Sequence, residues 1–76
     1  MEKKYVIFLN GEYKYSQEFI DKLVSENAVC FCADGGANFA FKYGKIPEVI
    51  VGDLDSIEKK VLEYYKSKNI LIKKFP

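Results

Sequence analysis

Two short segments of the chain combine carboxylates with glycines, an amide or a hydroxyl, residues 34–38 (DGGAN) and residues 52–56 (GDLDS). In the second segment, Asp53 and Asp55 lie two residues apart beside the hydroxyl of Ser56, and such hard oxygen ligands suit Mg²⁺ and a bound phosphate chain. The first segment offers one carboxylate, glycines that allow close approach of a ligand, and the amide-rich start of a helix. Together the segments predict a site for a metal ion and phosphate groups.

Both segments also have a purely structural interpretation. The first could be an ordinary tight turn from strand to helix, with Asp34 or Asn38 capping the helix. Residues 55–58 (DSIE) resemble a capping box with Asp55 in the place of the usual Ser or Thr, so Asp55 is either a cap or a ligand. Asp53 has no such alternative, and two neighbouring carboxylates would repel each other without a cation. The residues therefore favour Asp53 as a metal ligand and leave the role of Asp55 open.

Several kinds of site are excluded because the residues for them are missing. The sequence has no His, Arg or Trp, which rules out a Ser-His-Asp or Cys-His nucleophilic site within this chain. Cys30 and Cys32 alternate with apolar residues in a predicted strand, so they point to the same face, where the geometry for a disulfide is poor. Two thiols without further Cys or His fall short of a zinc site. We expect buried, unreactive thiols.

The composition indicates a small folded domain. Of the 76 residues, 49% are hydrophobic and 30% are charged, as in globular proteins. A chain of this length forms one domain at most and buries about 60% of its unfolded surface. The net charge of +1 gives no broad field for nucleic acid or an anionic membrane, and no apolar run approaches the roughly 20 residues of a membrane span. We therefore expect a cytoplasmic protein without nucleic-acid or membrane partners.

The predicted elements on either side of the two segments alternate between strands and helices. A continuous apolar run at residues 5–9 predicts a first strand buried on both faces. Alternation of this kind is typical of an α/β fold in which parallel strands are joined by right-handed crossovers. The further predicted strands are residues 28–33, 48–51 and 69–73, and the predicted helices are one capped by Ser16 and ending near Asn27, residues 38–43 and residues 57–66.

This pattern places the two segments at one edge of the sheet. Residues 34–38 follow the second predicted strand, and residues 52–56 follow the third. Ligands of open parallel sheets bind at the carboxyl ends of the strands. Both segments should therefore open onto the same ligand-binding edge.

Four motifs together resemble the thiamine pyrophosphokinase family in their order and spacing. They are NG at 10–11, ADGGAN at 33–38, G.IP..IVGDLDSI at 44–57 and FP at 75–76. The resemblance covers essentially the whole chain. It implies a three-layer α/β/α catalytic domain with a parallel sheet, followed by a β-sandwich domain. Residues 1–76 would be the N-terminal part of that catalytic domain, with strand order 4-3-2-1 in a truncated half of a larger Rossmann-like sheet and with the thiamine-binding sandwich absent.

The resemblance also implies an activity. Enzymes of this family use ATP and Mg²⁺ to transfer a diphosphate to the hydroxyl of thiamine, release AMP, and act as homodimers with thiamine at the subunit interface. The acidic residues that would act in catalysis are Asp34, Asp53 and Asp55, and two of them, Asp53 and Asp55, would bind the metal. The residues that would line the nucleotide pocket are Asn10, Gly11, Gly35, Gly36, Asn38 and Ser56.

One part of the family pattern has no counterpart. In the family, FP leads into a KD.TD motif that adds a lysine and further acidic residues, and nothing follows Pro76 here. We therefore expect this chain alone to be inactive, and to self-associate through an exposed apolar edge at residues 5–9. Two alternatives remain at this stage, a noncatalytic nucleotide-binding or regulatory module, and a structural fragment whose aspartates only cap helices.

Overall fold

The computed structural model describes residues 3–11, 14–25 and 27–74. The FP motif at 75–76 therefore lies outside the described residues. The helices and strands follow the predicted order, and most bounds differ from the prediction by one or two residues. They are β1 (Lys4–Phe8), α1 (Gln17–Leu23), β2 (Ala28–Ala33), α2 (Gly36–Lys42), β3 (Val49–Gly52), a 3₁₀ turn (Leu54–Ser56), α3 (Lys59–Ser67) and β4 (Leu71–Lys74).

The strands form one parallel sheet with the order β1-β2-β3-β4. This is the predicted order 4-3-2-1, and the predicted α/β class with a parallel sheet is confirmed. Phe8 pairs with Cys32, Cys32 with Ile50, and Ile50 with Ile72. Because the strands are in register in this way, one continuous row of side chains crosses one face of the sheet, and the carboxyl ends of β1, β2 and β3 meet at one edge.

The core lies between that face and the helices. Each crossover moves one strand along in the same direction, and right-handed crossovers of this kind place their helices on one face. Phe39 of α2 packs on Phe8 of β1, with ring centroids 5.2 Å apart, and Ile20 of α1 and Tyr65 of α3 are buried in the same cluster. The other fully or nearly fully buried apolar residues are Val6, Cys30, Cys32, Ala37, Ala40, Tyr43, Ile50, Ile57 and Val61.

The two cysteines are buried and free, as predicted. A hydrogen bond with Cys30, together with burial, raises the pKa of the Cys32 thiol well above its ordinary range. A thiol with a raised pKa stays protonated at neutral pH and is a poor nucleophile. The pair is part of the core.

The opposite face of the sheet is open. Tyr5 and Ile7 of β1 are 64% and 60% exposed, and Leu71 of β4 is 52% exposed. The prediction that the first strand is buried on both faces is therefore wrong for the described part of the chain, because all three helices pack on the face that carries Phe8. Helices on this second face, which the α/β/α arrangement requires, stay a prediction that concerns the complete catalytic domain. None of the described helices is long and apolar enough to cross a membrane.

Candidate functional site

The two segments singled out in the sequence are in direct contact at the carboxyl edge of the sheet. The backbone N–H of Asp34, just after β2, donates to the carbonyl of Val51 in β3 at 2.8 Å. The side chain of Asp34 then reaches past the end of β3, and its Oδ1 accepts from the backbone N–H of Asp53 at 2.7 Å. The prediction that both segments open onto one edge is confirmed.

Asp34 and Gly52 have unusual backbone conformations that make this contact possible. Asp34 has a φ of +51° and Gly52 a φ of +112°. A Cβ at position 52 would overlap with Oδ1 of Asp34. Only glycine both adopts this φ without strain and leaves room for the carboxylate, so the Gly that precedes Asp53 is required by the position of Asp34.

Gly35 and Gly36 are crowded by the protein itself. A Cβ at Gly36 would overlap with the carbonyl oxygen of Phe8, and one at Gly35 would overlap with the side chain of Asn10 and lie 3.2 Å from the carbonyl oxygen of Ser56. The two glycines thus let the segment after β2 pack between the ends of β1 and β3. This packing brings Asn10, predicted from the resemblance alone, into the site.

Asp53 has a structural role that the sequence did not indicate. Its Oδ1 accepts from the backbone N–H of Asp55 at 2.9 Å and caps the 3₁₀ turn. The capping box proposed for Asp55 is wrong, because the 3₁₀ turn occupies residues 54–56 and α3 begins only at Lys59, after Glu58 as its N-cap. The helix start predicted at residue 57 is displaced for the same reason.

Asn38 joins the two segments. Its Oδ1 accepts from the backbone N–H of Glu58 at 2.8 Å, and its Nδ2 donates to the carbonyl of Ser56 at 2.9 Å. Neither Asn38 nor Asp34 caps α2, because the N-cap is Gly35, which has no side chain to do so. Sequence reasoning missed this link, since it joins residues 18 and 20 positions apart.

The carboxylates of Asp53 and Asp55 are available for a cation at this edge. Both residues are exposed, and the Asp55 side chain makes no hydrogen bond or ion pair with any part of the chain that the structure describes. Within residues 3–11, 14–25 and 27–74, no group of three or more His, Cys, Asp or Glu is placed to hold a metal. Mg²⁺ is commonly held by one or two carboxylates together with substrate phosphates and water, so the donor set fits a shared site of that kind.

An open cleft of about 600 Å³ adjoins the site on the helical side of the sheet. Small-molecule sites typically have volumes of about 300–1,000 Å³. The cleft is lined by Gly11, Lys14, Asn38, Phe39, Phe41, Lys42, Glu58 and Lys60. Among the described residues of this lining, three are lysines and one carries a carboxylate, so this part of the lining favours an anion. No local pattern in the sequence marks these lysines as a group, because Lys14 precedes α1, Lys42 ends α2 and Lys60 belongs to α3, and only the tertiary fold brings them to one cleft.

Comparison with known proteins agrees with this geometry. The family described as "Thiamin pyrophosphokinase, catalytic domain" matches residues 20–76. The chain is 29% identical over 80 aligned positions to the thiamine pyrophosphokinase of Saccharomyces cerevisiae, covering 93% of this chain and 25% of the yeast protein.

Solved structures give the same result. The crystal structure of yeast thiamin pyrophosphokinase superimposes with a TM-score of 0.81 at 29% identity, and thiamin pyrophosphokinase from Candida albicans with a TM-score of 0.76 at 34% identity. In both, the match covers 93% of this chain and 25% of the other. The chain thus spans about a quarter of the length of these relatives, and it belongs to the thiamin pyrophosphokinase catalytic-domain family.

Proposed function

We propose that this chain is part of an enzyme that transfers a diphosphate from ATP to the hydroxyl of thiamine. A bond forms between the hydroxyl oxygen and the β-phosphorus of ATP, and the bond from that phosphorus to the oxygen bridging it to the α-phosphorus breaks. AMP leaves with the bridging oxygen, and the hydroxyl proton is released. Membership of the family supports this reaction, as do the carboxylates at the ligand-binding edge of the sheet.

The observation that carries the proposal is a pair of hydrogen bonds, from the backbone N–H of Asp53 to the Asp34 carboxylate and from the backbone N–H of Asp55 to the Asp53 carboxylate. These bonds hold the Asp53 carboxylate against the backbone of Asp55 and fix the short segment that carries both exposed carboxylates. Positioning of this kind is the main contribution of a protein to phosphoryl transfer. We assign Asp53 and Asp55 as metal ligands and Asp34 as an acidic residue of the same site. Mg²⁺, when bound there, would neutralise charge on the phosphates.

The cleft beside the site is the space we propose for the nucleotide. Its volume is sufficient for a small molecule, and Lys14, Lys42 and Lys60 supply positive charge for phosphates. Gly11, one of the residues implied by the family resemblance, lines it. A homodimer with thiamine at the subunit interface and a cytoplasmic location belong to the same proposal, and the resemblance to the family is what supports them.

A chimera tests the proposed reaction. This chain would replace the matched quarter of the S. cerevisiae thiamine pyrophosphokinase, and AMP and thiamine diphosphate would be measured after addition of ATP, Mg²⁺ and thiamine. We expect both products, and we expect Asp53→Asn to reduce their formation by at least about a hundredfold, because the carboxamide removes the charge while keeping an Oδ1 that can cap the 3₁₀ turn.

The matched control is Glu63→Gln on the exposed face of α3, which removes one negative charge away from the site and should leave the rate unchanged. Full activity of the Asp53→Asn chimera would contradict the assigned role. If the folded chimera bound Mg²⁺ and ATP but released no AMP, the noncatalytic nucleotide-binding module would be the better interpretation.

A further inference from the structure

Asn38 has a side chain that is poorly explained by its place in α2. It is the third residue of a helix that begins at Gly36, where Asn is among the weaker helix formers. Its own backbone N–H donates to the carbonyl of Gly35 at 3.0 Å, so its side chain is not needed to complete the helix. The side chain instead leaves the helix and contacts residues 56 and 58.

The amide of Asn38 matches the backbone that it meets. A carboxamide offers an acceptor oxygen and a donor NH₂ side by side. Its oxygen accepts a hydrogen bond from the backbone N–H of Glu58, and its nitrogen donates one to the carbonyl of Ser56. Both of these contacts therefore depend on the amide, since Asp would lack the donor and Ala would lack both groups.

The segment held in this way has few other backbone hydrogen bonds. Between β3 and α3, the amides of Asp53, Asp55 and Glu58 donate to side chains, which are those of Asp34, Asp53 and Asn38. One backbone bond, from Ile57 to Leu54 at 3.1 Å, closes the 3₁₀ turn. Side chains therefore set the path of this segment, with Asp34 at its beginning and Asn38 at its end.

We infer that Asn38 is a positioning residue for the proposed diphosphate-transfer site. Through Ser56 and Glu58 it fixes the end of the segment that carries Asp53 and Asp55, and so it sets where the two carboxylates point. Its amide bonds the protein backbone, so this positioning role is additional to the place of Asn38 in the lining of the cleft. The chemical meaning of this placement rests on the proposed function, whereas the placement itself can be measured without any ligand.

Amide hydrogen exchange measured by NMR on the ¹⁵N-labelled chain tests the placement. In Asn38→Ala we expect the amide of Glu58 to exchange about tenfold faster or more, with a smaller increase at Asp55, because an intramolecular hydrogen bond is lost. The matched control is Ser16→Ala. It removes the cap that Ser16 provides to the N–H of Phe19 at 3.1 Å and should speed exchange in α1 without affecting Glu58.

The variant Asn38→Asp separates a positioning role of Asn38 from a general loss of stability. It also tests that role if Asn38→Ala does not fold. The carboxylate keeps the acceptor for Glu58 and loses the donor to Ser56. We expect Glu58 exchange to stay within about twofold of the native rate, while the carbonyl chemical shift of Ser56 moves. Equal acceleration at Glu58 in both Asn38 variants, or none in Asn38→Ala, would overturn the inference.

A Mn²⁺ titration tests whether the hydrogen bonds of Asn38 affect metal binding at Asp53 and Asp55. Mn²⁺ would be titrated into the native chain, Asn38→Ala and Ser16→Ala, with line broadening at Asp53 and Asp55 as the readout. We expect about tenfold weaker binding in Asn38→Ala, at the lower end of the effects seen when the residues that orient metal ligands are changed, and unchanged binding in Ser16→Ala. No broadening in the native chain would count against the proposed metal site, while the exchange data would still decide the role of Asn38.

Discussion

At the scale of the residue, Asp53 shows that a structural contact and a candidate chemical role can coexist in one carboxylate. Its Oδ1 accepts from the N–H of Asp55, while its own N–H is held by Asp34. The residue is exposed, so its carboxylate can still meet a cation from solvent. Capping needs only an acceptor oxygen, whereas binding Mg²⁺ needs the negative charge. Substitutions that keep one property and remove the other should separate the two roles.

The capping role predicts a difference in stability between two variants of Asp53. Asp53→Ala removes the acceptor and should lower the free energy of unfolding by about 1 kcal/mol. Asp53→Asn keeps an acceptor oxygen and should cost only a few tenths of that amount. Urea denaturation followed by circular dichroism measures both. Equal losses in the two variants would show that the hydrogen bond to Asp55 does not contribute to stability.

Two glycines with positive φ form a second matched pair. Gly44 has a φ of +70° and open space where a Cβ would lie, whereas Gly52 has a φ of +112° and the Asp34 carboxylate in that place. Gly44→Ala should cost about 1 kcal/mol from backbone strain alone. Gly52→Ala should cost roughly 3 kcal/mol, because strain and a steric overlap add. Thermal or urea unfolding compares them, and a smaller loss at Gly52 would contradict the contact with Asp34.

At the scale of the element, α3 is attached to the rest of the fold through Tyr65. The helix has its predicted amphipathic character, with Val61 and Tyr65 buried and the lysines exposed. The Tyr65 hydroxyl donates to the carbonyl of Lys45 at 2.7 Å, which connects α3 to the segment between α2 and β3. Burial raises the pKa of Tyr65 above its ordinary value. The docking of α3 should therefore depend on pH in the alkaline range.

The sign of that dependence follows from proton counting. Above about pH 10 the unfolded chain loses the phenolic proton of Tyr65, while the folded chain retains it. The unfolded state then binds fewer protons, so the free energy of unfolding falls as the pH rises. Below that pH the contribution is fully present. Urea midpoints between about pH 9 and pH 11 should fall more steeply for the native chain than for Tyr65→Phe, and parallel slopes would contradict this assignment.

At the scale of the whole molecule, the dominant feature is the sheet face without helices. Tyr5, Ile7 and Leu71 lie on it with more than half of their surface exposed, and Tyr5 stacks with Phe31 of β2 at 6.1 Å. Large exposed apolar surfaces favour association. Strand β1 also lies at one end of the described sheet, as an apolar edge. We therefore keep the prediction that the chain self-associates, and the open face gives it a second physical cause.

Neighbouring residues of β1 test this prediction because they point to opposite faces. Ile7→Lys places a charge on the open face and should shift sedimentation-velocity profiles toward monomer with little loss of helicity. Val6, which is 8% exposed, faces the helices, and Val6→Lys should unfold the chain because a buried unpaired charge is costly. A native chain that remains monomeric at high protein concentration would contradict the role of this surface.

The order of the elements, the parallel sheet and the two segments at its edge could all be predicted from the sequence. These follow from local signals, namely short apolar runs, glycines at turns and the periodicity of α3, which each act within a few residues. The aspartates were identified for the same reason, since carboxylates two residues apart at a strand end are visible in the sequence.

The contacts of those residues became known only from the folded chain. It assigned the capping contact to Asp53 and not to Asp55, because a 3₁₀ turn precedes α3. It gave Asn38 a link to Ser56 and Glu58 and left one face of the sheet open. These outcomes depend on which distant residues meet when the helices pack on one side, and no pattern within a single element contains that information.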